Sequence, residues 1–142
     1  MLTEREIVES CACHRARTAA RVVTRAYDEA LRPFGLRATQ LSVLVAAAVD
    51  DALSITALAK FMGMDRSTLT RNLRPLEMEG LITLGNEGWR RSRTLEITKA
   101  GRSQLRKALP LWSGAQRALK RKLGNRTWDE IRGVLDHLIR AA

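Results

Sequence analysis

The residues of this chain best suited to recognition chemistry are Arg66, Ser67, Thr68, Thr70, Arg71 and Arg74, all within the run from Asp65 to Leu76. Leu69, Leu73 and Leu76 recur there at helical spacing and mark one apolar stripe. At about 100° per residue, Ser67, Arg71 and Arg74 project from the opposite side. A guanidinium is a planar fork of donors that matches the N7 and O6 edge of guanine or a phosphate. Short hydroxyls near a helix start can reach phosphates or bases, and the helix N-terminus itself favours phosphate. An ordinary amphipathic helix with a solvated basic side shows the same pattern, so the neighbouring elements must decide.

A second basic cluster follows. Arg90, Arg91 and Arg93 lie between two strand-like runs, Leu81–Leu84 and Thr94–Ile97, in a turn-rich segment that also holds Trp89. An arginine on such a hairpin tip can enter a narrow minor groove. Trp89 can pack over a sugar, stack on Arg91, or fold against the hairpin. Before the arginine-bearing helix, Ile55, Leu58, Ala59 and Met62 are spaced as a short helix. Gly63 supplies a turn and Asp65 is placed to cap the next helix. Two short helices and a basic hairpin make a winged helix-turn-helix, whose second helix lies in the major groove.

The flanking elements must position that unit. Thr3-x-x-Glu6 has the form of a capping box, and the apolar pattern behind it predicts one helix to Leu31, ended by Pro33 and Gly35. Leu41, Leu44, Val45, Ala48 and Val49 predict a second helix capped by Thr39 and closed by Asp50-Asp51. Thr98 opens a long helix carrying Leu105, Leu109, Trp112, Leu119 and Leu123, with a kink expected at Pro110. Gly124-Asn125 breaks it, and Thr127-x-x-Glu130 predicts a capping box for the last helix. The expected fold is mainly α: one domain over 1–142, with a winged helix-turn-helix and two-stranded wing at 37–97. Long terminal helices, 3–36 and 98–142, are expected to pair with a second copy, because readers of this size commonly bind two half-sites as symmetric dimers.

Bulk properties narrow the classes. The 142 residues suffice for one domain with a real core, and 45% hydrophobic with 28% charged residues argues against disorder. No apolar run reaches the roughly 18 residues of a spanning helix, and the N-terminus lacks a signal peptide's apolar block. A cytoplasmic protein without membrane association is expected. The formal net charge of +10 favours a polyanionic partner. Eight basic and five acidic residues lie in 54–99, against ten and three in 100–142, so charge alone does not single out the reading helix.

No phosphate loop, HExxH or nucleophile elbow occurs, and His14 and His137 lie on separate predicted terminal helices, so an enzyme, a metal or another cofactor is not expected. Cys11 and Cys13 suggest neither a disulfide framework nor a complete metal site. On one continuous helix they would point about 200° apart.

The order and spacing of four segments, Tyr27–Leu36, Asp65–Leu73, Leu76–Ile82 and Leu95–Gly101, resemble those of the MarR (multiple antibiotic resistance regulator) family over almost the whole chain. The resemblance implies a homodimeric transcriptional regulator, expected to be a repressor, on a near-palindromic operator in double-stranded DNA. It implies release by a small phenolic or lipophilic ligand, with Phe34, Leu36 and Trp112 as pocket residues. Some members sense peroxide through a cysteine of the first helix, which makes thiol sensing by Cys11 and Cys13 one alternative. A non-specific architectural DNA-binding protein is the other. In the family's wing an Asp stands two residues before an Arg; here Arg91 matches the Arg and Trp89 takes the Asp position.

Overall fold

Thr3 begins the first helix as predicted. In the computed structural model, which describes residues 2–85 and 93–141, α1 (Glu4–Ser10) carries a complete capping box, Thr3 accepting from the Glu6 amide and Glu6 accepting from the Thr3 amide. The single helix expected to reach Leu31 is instead two. Cys11 is extended (φ −65°, ψ 108°) between α1 and α2 (Ala12–Leu31). Its sulfur accepts from the His14 amide at 3.4 Å and so caps α2, while the Arg15 side chain donates to the Glu9 carbonyl at the end of α1. Local side-chain bonds to the backbone here compete with helix continuation.

A 3-10 turn at Arg32–Phe34 and Gly35, in the left-handed region at φ 65°, end α2. The start of α3 (Ala38–Val49) is not capped by Thr39. Gln40 accepts from the Arg37 amide at 2.9 Å, and Asp28, reaching across from α2, accepts from the Ala38 amide at 2.7 Å.

After β1 (Leu53–Ser54), α4 (Ile55–Met62) starts from a Ser54 cap and ends at left-handed Gly63. Next, α5 (Arg66–Met78) starts from Asp65 and continues past Pro75. Strands β2 (Ile82–Leu84) and β3 (Thr94–Ile97) complete a three-stranded antiparallel sheet in the order β1-β3-β2. The wing therefore has a third strand that the sequence did not predict. Its two residues are too few to show an alternating pattern, and it pairs because Leu53 opposite Leu95 buries both side chains.

The long helix α6 (Lys99–Leu123) starts where Thr98 accepts from the Gly101 amide, and remains helical through Pro110. Gly124, at φ 79°, ends it, and α7 (Asn125–Ala141) begins at once. Thr127 thus lies within the helix rather than at its cap.

The core joins α3, α4, α5, the sheet and the first half of α6. Leu69, Leu73 and Leu76 fix α5 into it, each no more than 1% exposed. The base of the wing is locked to α6: the Thr98 hydroxyl donates to the Gly80 carbonyl at 2.7 Å, and a Cβ on Gly101 would collide with the Leu81 carbonyl. The terminal helices differ. Neither α1 nor α7 buries a residue, and α2 buries only Leu31.

Candidate nucleic-acid interface

With its three leucines inward, α5 presents the opposite side to solvent. Arg66, Ser67, Thr70, Arg71 and Arg74 are exposed and Thr68 is half-buried. Asn72 holds the helix in place by donating to the Thr68 carbonyl at 2.9 Å and contacting the Met64 sulfur at 3.9 Å, in the turn after α4. Sequence reading missed this tie, because an asparagine beside the leucine stripe carries no periodic signal.

At the N-terminus of α5, Asp65 takes the Thr68 amide as the cap expected from the sequence. Its carboxylate accepts from the Thr68 amide at 2.8 Å, the Ser67 hydroxyl at 2.5 Å and the Thr68 hydroxyl at 2.7 Å. The Ser67 bond, then the Thr68 amide and hydroxyl, hold the carboxyl well below the usual carboxylate range. The Thr70 hydroxyl donates to the Arg66 carbonyl at 2.8 Å, and Arg71 reaches Thr68 Oγ1 at 3.4 Å. The structure thus brings the helical candidates onto one solvent face, with their hydroxyl protons already engaged.

In the wing, Trp89, Arg90 and Arg91 lie outside the described residues. Arg93 is described and is not simply a tip cation. Its Nε donates to the Gly85 carbonyl at 3.1 Å, and its own carbonyl accepts from the Ile55 amide at 2.9 Å, so it clasps the hairpin base to the start of α4.

The three residues expected in a pocket have different surroundings. Leu36 is buried and borders a cavity of about 470 Å³ with Arg25, Asp28 and Arg32. Phe34 lends its carbonyl to Gln104 at 2.6 Å. Trp112 lies against Tyr27, ring centroids 6.5 Å apart, and the Tyr27 hydroxyl donates to Gln116. These contacts join α2 to α6, and burial pushes the Tyr27 phenol up. A different cavity, of about 360 Å³, reaches the reading helix itself, lined by Asp28 and Arg37 on one side and Arg71 and Asn72 on the other. Cys11 is half-buried and Cys13 exposed.

A helix-turn-helix with an exposed arginine face, backed by a three-stranded wing, defines a winged-helix nucleic-acid reader. The MarR family model matches residues 36–83. The transcriptional regulator MosR of M. tuberculosis is 37% identical, with 94% of this chain and 96% of that chain covered and a TM-score of 0.81. The same regulator in complex with DNA gives 38% identity, 93% and 96% coverage and a TM-score of 0.83. The chain belongs to the MarR family.

CouR from Rhodococcus jostii RHA1 bound to p-coumaroyl-CoA, at 22% identity, 93% and 94% coverage and a TM-score of 0.78, shares the fold. So does a mutant MarR from E. coli complexed with operator DNA, at 20% identity, 93% and 96% coverage and a TM-score of 0.80. No curated protein matches the chain.

Proposed function

We propose that this chain is a sequence-specific, DNA-binding transcriptional regulator that engages two half-sites as a homodimer. The observation that carries this reading is the outer face of α5, where Ser67, Thr70, Arg71 and Arg74 stand exposed opposite three fully enclosed leucines. Arg71 and Arg74 donate to guanine edges or phosphates in the major groove. Arg90 and Arg91, which lie between β2 and β3 in the sequence, are assigned in this reading to the adjacent minor groove. The complex of MosR with DNA, at 38% identity, supports the same use of the fold.

The homodimer follows from the terminal helices. Their apolar residues face solvent in a single copy, among them Ile7 and Val8 of α1 and Val134, Leu135 and Ile139 of α7. A second copy is the economical cover for such surfaces. Regulation is by repression, relieved by a small molecule entering between the terminal helices and the winged unit. The cavity between Asp28 and Arg71 lies at that junction, so an occupant there touches α2 and α5 together. Among the described residues no helix is long and apolar enough to cross a membrane, which accords with action on DNA in the cytoplasm.

A gel-shift salt series on the protein's own promoter region, competed with random duplex, tests the reading. A regulator keeps a large specificity ratio and loses affinity linearly in log salt. Equal affinity for both duplexes indicates an architectural DNA coater, and no salt-dependent affinity removes DNA as the partner.

One observation favours a second mode of control, through thiols. Cys11 sits at a break between helices, so the continuous helix that would hold Cys11 and Cys13 apart does not exist. Release of operator DNA by hydroperoxide in wild type, lost in Cys11→Ser and Cys13→Ser, is the expected result of thiol control. Unchanged release in both variants excludes it.

A further inference from the structure

The hydroxyls on the reading helix have only acceptor capacity left to offer DNA. A serine or threonine hydroxyl has one proton to donate and two lone pairs. An ionised carboxylate and a backbone carbonyl are acceptors only. The Ser67 proton must therefore be the one shared with Asp65 at 2.5 Å, and the Thr70 proton the one shared with the Arg66 carbonyl at 2.8 Å. The hydrogen bonds into Asp65 keep its carboxyl ionised across the physiological range, so it cannot reverse the direction of the Ser67 bond. Both hydroxyls stand on the exposed side of α5, on the face shared with Arg71 and Arg74.

Building on the regulator reading above, we infer that Asp65 sets part of the operator preference by turning Ser67 into an obligate acceptor, with Thr70 fixed likewise by its own helix. In the major groove the groups that donate are the amino groups of adenine (N6) and cytosine (N4); guanine N7 and O6 and thymine O4 accept. Ser67 and Thr70 then select A or C on the strand they face and reject the same base pair inverted. Ser67 is therefore not a phosphate anchor. Swinging the Ser67 proton to a phosphate breaks a charge-assisted bond and leaves the Asp65 carboxylate beside another anion. The helix divides its work: arginines supply donors for guanine and backbone, and hydroxyls supply acceptors for amino groups. Asp65 is a positioning residue in this scheme and need not touch DNA.

The test uses the full-length protein and a randomised duplex pool. Operators are selected with wild type, Ser67→Ala, Thr70→Val and Asp65→Gly, and affinities are then measured for operators carrying single inverted pairs. Asp65 Oδ1 accepts from both the Ser67 hydroxyl and the Thr68 amide, so an asparagine would keep the Ser67 bond; glycine is tolerated at an N-cap and carries no side-chain acceptor, which frees the Ser67 proton. Thermal melting confirms that each variant is folded, and Asp65→Ala provides a second variant without a side-chain acceptor if Gly fails. A uniform gain in affinity for all duplexes is expected from losing the Asp65 charge, so the readout is base preference.

Wild type is expected to hold A or C at the position that Ser67→Ala relaxes, with inversion costing on the order of tenfold. Asp65→Gly is expected to relax that position and leave the Thr70 position intact, because Thr70 is tied to Arg66 rather than to Asp65. Selection of G or T at the Ser67 position overturns the inference. So does a loss in Ser67→Ala that is equal for every sequence, or a Ser67 preference unchanged in Asp65→Gly. A wild-type pool with no enriched sequence is a separate result: it removes the regulator reading, and this inference with it.

Discussion

The winged unit and the terminal helices use their apolar side chains in opposite ways. In the first, Leu44, Leu58, Leu69, Leu76 and Leu95 are fully enclosed within one chain. In the second, Val134 is 66% and Ile139 76% exposed, and α7 buries nothing. A helix with a strong apolar face and no buried residue is a surface awaiting a partner. The contrast separates two jobs. The winged unit encloses its apolar residues around the reading helix within one chain; in the proposed homodimer the terminal helices are covered by a second copy, which sets the spacing between two reading helices.

That comparison is broken most directly in α7. Leu135→Glu should abolish the dimer in sedimentation and lower operator affinity by about 10²–10⁴-fold, as the second half-site loses its linked reader. The winged unit should still melt cooperatively. Next in size, Leu73→Ala opens a void beneath α5 and should cost about 2–5 kcal/mol in urea unfolding. Operator affinity of the still-folded fraction should change far less.

Arg71→Ala touches only the reading face. A loss of about 1–3 kcal/mol in operator binding is expected, with relaxed base preference and unchanged melting. Competition binding against single-substituted operators measures both.

Asp65 sharpens the same contrast through pH. Its folded carboxyl titrates below its unfolded value, so its contribution is fully present above the ordinary aspartate range and is lost as pH falls through and below that range. The stability gap between wild type and Asp65→Ala should therefore be flat from neutral pH down to the ordinary aspartate range and shrink below it. A gap that widens on acidification contradicts the assignment. The smallest effect is expected at the exposed Arg126–Glu130 pair in α7, where Glu130→Gln should change stability by no more than about 0.5 kcal/mol.

What could be read from the sequence follows the same division. The reading helix was legible because three leucines, a capping aspartate and a left-handed glycine all act within a few residues of one another. Features set by distant partners were not. The cap that Asp28 supplies to α3 crosses between helices, and β1 exists because Leu95, some forty residues on, offers it a partner. The break at Cys11 depends on a sulfur capping bond and on Arg15 reaching back to Glu9, inside an otherwise continuous helical pattern.

At the candidate site, the exposed face was legible but its hydrogen-bond polarity was not. Helical spacing placed Ser67 outward with Arg71 and Arg74, and residue type made Thr70 a candidate contact. Only the coordinates show that their protons are already given to Asp65 and to the Arg66 carbonyl. Arg93 was read as a tip cation, whereas its Nε is bonded to the Gly85 carbonyl at the hairpin base.

Hydroxyl-radical footprinting of the full-length protein on its own promoter region, with wild type and Arg71→Ala side by side, tests the central claim most directly. Two protected segments should appear, related by approximate two-fold symmetry, with centres about 34–36 Å apart or a multiple of that, and both should fade together in Arg71→Ala. A single unpaired segment, uniform protection along the duplex, or a footprint indifferent to Arg71 would contradict the account.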